Sequence, residues 1–181
     1  TEMEEIRRTG VVTARRTRPS AGSCGSSGSY PRLLAERFPT AMEVARAFSV
    51  PRMEELRRRR EIRGLGMCVR MPFPALADVE RSHEEAVAVR LVRMYVIGLN
   101  DSCNQQRMTA EQIVELAELL YEEGSGLKIT EMFEFFREVK KGAYGECFGS
   151  LDGLKVMVFF RRFMQERERL VRRAEALLRR T

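Results

Sequence analysis

From Val156 onward an apolar residue returns at every seventh position: Val156, Phe163, Leu170 and Leu177 form one series, with Met157, Met164, Val171 and Leu178 beside it. A helix sets residues seven apart on one face, so the pattern predicts a long helix from about Ser150 or Asp152 nearly to residue 181. At 1.5 Å per residue, roughly 27 residues extend about 40 Å. That length can outreach a domain built from 181 residues. The distal part of the stripe therefore has two readings, packing on the chain's own helices or protruding toward another chain.

Helix signals recur upstream. Thr40 stands three residues before Glu43, a capping box, and either Met42, Ala45 and Phe48 or Val44 and Phe48 then share a face. Pro51 suits the first turn of a helix running to about Arg63, with Gly64 and Gly66 ending it. Met67, Val69 and Met71 alternate with Cys68 and Arg70, which predicts a short extended segment near 66–71 before Pro72 and Pro74 impose a break. From Ala75 or Ser82 to about Leu99 the spacing is helical again, and Ser82 with Glu85 reads as a second capping box. Thr109 and Gln112 open a helix whose Ile113, Leu116, Ala117 and Leu120 face inward and whose Glu111, Glu115, Glu118 and Glu122 face water. Thr130 reads as the cap of a helix carrying Met132, Phe133, Phe136 and Val139, which Gly142 can end in a left-handed conformation. The expected fold is all-α, a small bundle of about six helices with a long C-terminal helix. Residues 1–29, rich in Gly and Ser after Arg15, Arg16 and Arg18, read as a flexible basic tail, and 30–181 as one helical domain.

The chain is 44% hydrophobic and 32% charged, enough for a real core, and its net charge is +6. The distribution says more than the sum. Residues 155–181 hold nine Lys or Arg against three acidic residues, and 51–70 hold seven against three, but 71–150 hold eight against fourteen. The basic ends can attract the acidic centre, within one molecule or between molecules, or an acidic partner.

Little in the sequence points to catalysis. Cys24, Cys68, Cys103 and Cys147 form no CxxC pair and His83 is the single histidine, so a zinc site lacks ligands and no metal or cofactor is expected. There is no phosphate-cradling GxxxxGK motif. His83 lies in Ser82-His83-Glu84-Glu85, where a solvated polar residue is the ordinary explanation. The amino end carries charges where a signal peptide needs an apolar core. Ala86 to Leu99 is interrupted by Arg90 and Arg93 and is shorter than the roughly 20 residues that span a bilayer. A cytoplasmic protein with reduced cysteines and no membrane span is expected.

Arg57 to Arg60 is the densest charge run, but four consecutive arginines on a helix point in all directions and can pair with Glu54, Glu55 and Glu61. A stronger binding candidate is Lys140, Lys141, Tyr144, Lys155, Arg161 and Arg162, cations around an aromatic and a glycine-rich turn. Cations release counterions from phosphates and an exposed aromatic can stack on a base. Equally, Tyr144 can be a core anchor between two helices, with Gly142 and Gly145 permitting the turns and Asp152 capping the last helix.

Phe136, Lys140, Gly142, Tyr144, Gly145, Phe148, Gly149, Leu151 and Asp152, followed by Phe163 and Arg167, fit the pattern F-x-x-x-K-x-G-x-Y-G-x-x-F/Y-G-x-V/L-D and then F-x-x-E-R. In this the chain resembles an uncharacterised family found in genomes and mobile elements of gut Bacteroidales. Met108 to Ala117 and Leu127 to Met132 are similar to it as well, so the resemblance covers about residues 105–170. The resemblance implies a cytoplasmic helical protein associated with mobile DNA and brings no known activity. The Lys-x-Gly-x-Tyr-Gly element is also similar to segments of phage replication accessory proteins, an association only.

Two functions are expected on these grounds. One is a non-enzymatic nucleic-acid-associated accessory protein of a mobile element, acting in replication or maintenance through Lys140 to Arg162 and the basic last helix. The alternative is a protein-interaction adaptor or dimerising helical module that uses the Val156 to Leu178 stripe on an acidic partner or a second copy.

Overall fold

The computed structural model describes residues 29–102, 106–145 and 151–179. Among these residues nine helices form and no strand: α1 Ser29–Arg37, α2 Ala41–Ala47, α3 Val50–Arg58, α4 Gly64–Arg70, α5 Leu76–Ser82, α6 Glu85–Asp101, α7 Ala110–Gly124, α8 Ile129–Lys140 and α9 Gly153–Leu178. The fold is an all-α bundle with a long C-terminal helix.

The bundle is organised around α8, which packs against α3, α4, α6 and α9. Nine of its twelve residues are buried, so it has no solvent face of ordinary width, and two of the nine are glutamates. Ile129, Met132, Phe133, Phe135, Phe136 and Val139 supply the apolar surface. Phe135 meets Phe160 and Phe163 of α9 with ring centroids 5.0 and 5.3 Å apart, tying the first half of the heptad stripe into the core. On the other side Tyr95 of α6 is fully buried and donates its hydroxyl to the Phe48 carbonyl at 2.8 Å. An uncapped phenol there would leave a polar group stranded among hydrocarbons.

Local chemistry sets the helix ends. Thr40 and Glu43 bond each other's backbone N–H at 3.3 and 2.9 Å, and Thr109 and Gln112 do the same with the same distances. Asp152 Oδ1 accepts from the Lys155 N–H at 2.8 Å and opens α9. Gly124 ends α7 where α9 crosses it: a Cβ there would lie 2.8 Å from Phe160 Cζ and 3.2 Å from Met132 Cε. Glycine is thus demanded by close approach rather than by backbone angle.

Several sequence expectations change. Residues 66–71 are not extended: 64–70 form α4, because Leu65 and Cys68, three apart, face the core while Met67 and Val69 are half-covered on its flanks. A helix covered on several sides loses the polar face that distinguishes its period from a strand's. Gly64 and Gly66 accordingly lie in α4 instead of ending the preceding helix, and α3 stops at Arg58. The helix expected from Ala75 or Ser82 to Leu99 is two. Ser82 ends α5 with its hydroxyl on the Val79 carbonyl, 3.0 Å behind it, so it does not cap α6. Thr130 does not cap α8 either; Lys128 does, its N–H donating to Glu131 Oε2 at 2.8 Å, and Thr130 is fully buried. Pro72 and Pro74 do break the chain, and this segment forms an antiparallel bridge, Ala75 with Lys128, flanked by Leu76 N–H to Leu127 O and Ile129 N–H to Pro74 O. Ser29, the last residue of the expected tail, begins α1; residues 1–28, Cys103, Cys147, Phe148 and Gly149 lie outside the described residues.

Candidate functional site

The expected binding corner is a helix end followed by an aromatic anchor. Gly142 has φ +77°, with its N–H on Val139 O and the Ala143 N–H on Glu138 O at 2.9 and 3.0 Å, the double bond pattern of a Schellman motif. The Tyr144 ring then packs against Phe135, Phe159 and Phe163, with centroids 6.4, 6.4 and 6.5 Å away. Its hydroxyl donates to Glu166 Oε2 at 3.1 Å. Burial first, then the Glu166 carboxylate, raises the phenol's pKa. Much of the ring is committed to the core, joining α8 to α9.

The cations around it are mostly engaged. Lys141 pairs with Glu138, and Arg161 pairs with Glu123 of α7 at 2.9 Å. Arg162 bonds the Tyr144 carbonyl at 2.9 Å, a neutral acceptor, and forms no ion pair with a described carboxylate. Lys140 is exposed and Lys155 half-buried. Gly145, at φ +134°, lies against Phe159, and Asp152 caps α9 as expected.

A buried polar centre lies on α8. Glu131 is fully buried, and its carboxylate accepts Arg167 Nε at 2.8 Å and Nη2 at 3.3 Å from α9. Lys128 sends its ammonium to the Val69 and Met71 carbonyls at the end of α4, both at 2.6 Å, and burial lowers its pKa. Cys68, buried beside Thr130, is pushed up to about 12 by burial and then by Glu134 and Glu131. It is therefore a thiol and a poor nucleophile at neutral pH. Glu134 is 1% exposed and its Oε2 has no hydrogen-bond partner; burial raises its pKa, Glu138 adds to this, and Lys141, Arg137 and Arg57 oppose it. His83 is half-buried, with Nε2 within hydrogen-bond reach of the Phe38 carbonyl, where only an N–H donor fits. That contact ties α5 to α1.

The turn from α3 to α4 carries the arginine run. Arg60 N–H bonds Arg57 O and Glu61 N–H bonds Leu56 O, at 2.8 and 2.9 Å, the same motif that ends α8. Here arginine takes the place of glycine: Arg60 has φ +61° and, among the described residues, is the single non-glycine residue in the left-handed region. Arg58, Arg60 and Arg63 are exposed and form no ion pair with a described carboxylate, whereas Arg59 pairs with Glu55. A run spread around a straight helix would scatter. Only Arg57 and Arg58 of the run lie within α3; Arg59 and Arg60 fall in the turn that ends it.

Residues 107–177 match the model of a family of unknown function (DUF6633). The matched segment holds α7, α8, the Tyr144 corner and nearly all of α9, which is the part of the chain built around Glu131 and Arg167. No curated protein and no solved structure matches the chain. No described helix is long and apolar enough to cross a membrane, and no described group of three or more His, Cys, Asp or Glu could hold a metal ion.

Proposed function

We propose that this protein is a non-enzymatic, cytoplasmic accessory factor that associates with nucleic acid, in the replication or maintenance of a mobile element. The observation that carries this reading is Arg60, an arginine held at φ +61° in a turn whose sequence neighbours Arg58 and Arg63 are also exposed. A non-glycine residue in the left-handed region costs about 1 kcal/mol, and Gly142 performs the same backbone task without that cost. Retaining a strained, exposed cation is intelligible where the cation touches a partner. Phosphate is the partner that three exposed guanidinium groups with no ion pair to a described carboxylate suit best, since each can bond two phosphate oxygens. Lys141 and Arg161, by contrast, are paired with Glu138 and Glu123.

The test is binding to single- and double-stranded DNA and RNA across a salt series. Affinity should fall steeply with salt, and R58A/R60A/R63A should flatten the log–log slope by about 2 to 3, close to one phosphate per arginine. Lys140→Ala with Lys141→Ala should alter the slope less. Absence of binding at about 50 mM salt, or binding indifferent to salt, would end this reading.

A further inference from the structure

We infer that the groove between α4 and the last turns of α9 is a docking site for an acidic amphipathic helix of another protein. It is lined by Gly66 and Val69 of α4 and by Leu170, Ala174, Leu177 and Leu178 of α9, has a volume of about 470 Å³, and is flanked by Arg70 and Arg173. The heptad stripe runs straight into it. Val156, Met157 and Phe163 at the start of the stripe are buried in the bundle, Leu170 is half-buried, and Leu177 and Leu178 are 66% and 77% exposed. One continuous apolar face is thus an internal interface for its first half and an open groove for its second.

Charge selects the occupant. Arg161, Arg167 and Arg172 of α9 and Arg179 just after it each pair with a carboxylate, whereas Arg70 and Arg173 at the groove form no ion pair with a described one. A second copy docked by the same face would bring Arg70 and Arg173 of both chains together, while the nearby carboxylates Glu168 and Glu175 are already paired with Arg172 and Arg179. Nucleic acid would gain little from an aliphatic floor without an exposed aromatic. A bilayer surface cannot fill a concave cleft between two helices. A helix with leucine-like residues at i, i+3 or i+4 and i+7 fills it, and Glu or Asp beside them meets Arg70 and Arg173.

None of Arg58, Arg60 and Arg63 lines this groove, so its test uses other substitutions than the test of nucleic-acid binding. The probe is a fluorescein-labelled synthetic amphipathic peptide with Leu at those spacings and Glu on its flanks, titrated with the full chain, against a control with Lys for every Glu. The acidic peptide should bind, the Lys peptide should not, and Leu177→Asp or Arg173→Glu should each weaken binding about tenfold or more while leaving helicity unchanged. Equal binding of both peptides, no binding of either, or indifference to both substitutions overturns the assignment. So does a sedimentation dimer, or co-sedimentation with phosphatidylserine-containing vesicles, that Leu177→Asp abolishes. Those results would give the groove to a second copy or to a membrane.

Discussion

Arg167 reaches from α9 to a carboxylate on the central helix: its Nε lies 2.8 Å from Glu131 Oε1, and its side chain is 25% exposed while that of Glu131 is 0% exposed. Glu131 also caps its own helix through the Lys128 N–H. One buried carboxylate therefore sets both the start of α8 and the position of α9. Phe163, four residues before Arg167 and fully buried, sits one helical turn away and contacts Phe135 of α8. The F-x-x-E-R element of the sequence is, in this fold, a clamp of one aromatic and one guanidinium on α8.

Removing one partner of such a pair leaves a charge without compensation in a low-dielectric interior. Arg167→Met should lower stability by about 3 to 5 kcal/mol in urea unfolding. Adding Glu131→Gln to it should recover a large part of that loss, because glutamine can still accept the Lys128 N–H and carries no charge. A double variant no more stable than Arg167→Met would mean that packing, rather than the buried charge, holds α9 in place.

Arg60 sets stability against binding. Arg60→Gly should raise stability by about 0.5 to 1 kcal/mol, since glycine accepts φ +61° without a Cβ clash. The same change should weaken nucleic-acid binding and reduce its salt slope by about 1. Thermal unfolding and a salt titration on one preparation check both, and an unchanged affinity would remove Arg60 from the binding surface.

Where a helix has one wet face, its sequence displays it. The capping pairs Thr40 with Glu43 and Thr109 with Gln112, the four exposed glutamates of α7, and the start of α9 at Asp152 were all readable from spacing and cap chemistry. Elements covered on several sides were not. α4 resembles a strand because Met67 and Val69 as well as Leu65 and Cys68 meet neighbours. In the candidate site, Tyr144, Gly142 and Asp152 were legible as a corner, but Glu131 and Glu134 were not, because a glutamate on a helix normally faces water and only the partner helices make it a core residue. Arg60 was hidden for another reason: nothing in the string Arg57 to Arg60 marks the residue at which the chain turns left-handed, and glycine, the usual sign, is absent there.

Glu134 links stability to pH. Its carboxyl is buried with Oε2 unpartnered, and its folded pKa lies above the ordinary value because of burial and Glu138, partly offset by Lys141, Arg137 and Arg57. A raised carboxyl pKa means that the folded state holds the proton more tightly. Its contribution is most favourable below the ordinary glutamate range and is lost as pH rises through the folded value. Glu134→Gln should therefore stabilise the protein at pH 7 to 8 and have little effect near pH 4. A gain that is equal at both pH values would show that Glu134 does not titrate differently on folding.

Tyr144 separates an anchor from a stacking platform. With its ring against Phe135, Phe159 and Phe163 and its hydroxyl on Glu166, the side chain serves the α8 to α9 junction. Tyr144→Phe loses one partly exposed hydrogen bond and should cost about 1 kcal/mol or less, whereas Tyr144→Ala should cost about 3 kcal/mol from the cavity it opens. Tyr144→Leu keeps apolar volume but removes the π face. If the ring is an anchor, that variant binds single-stranded nucleic acid as the parent does. If a base stacks on it, the variant loses about 1 to 3 kcal/mol of binding while its urea midpoint moves little. The first result is expected, because three phenylalanines already occupy the surroundings of the ring.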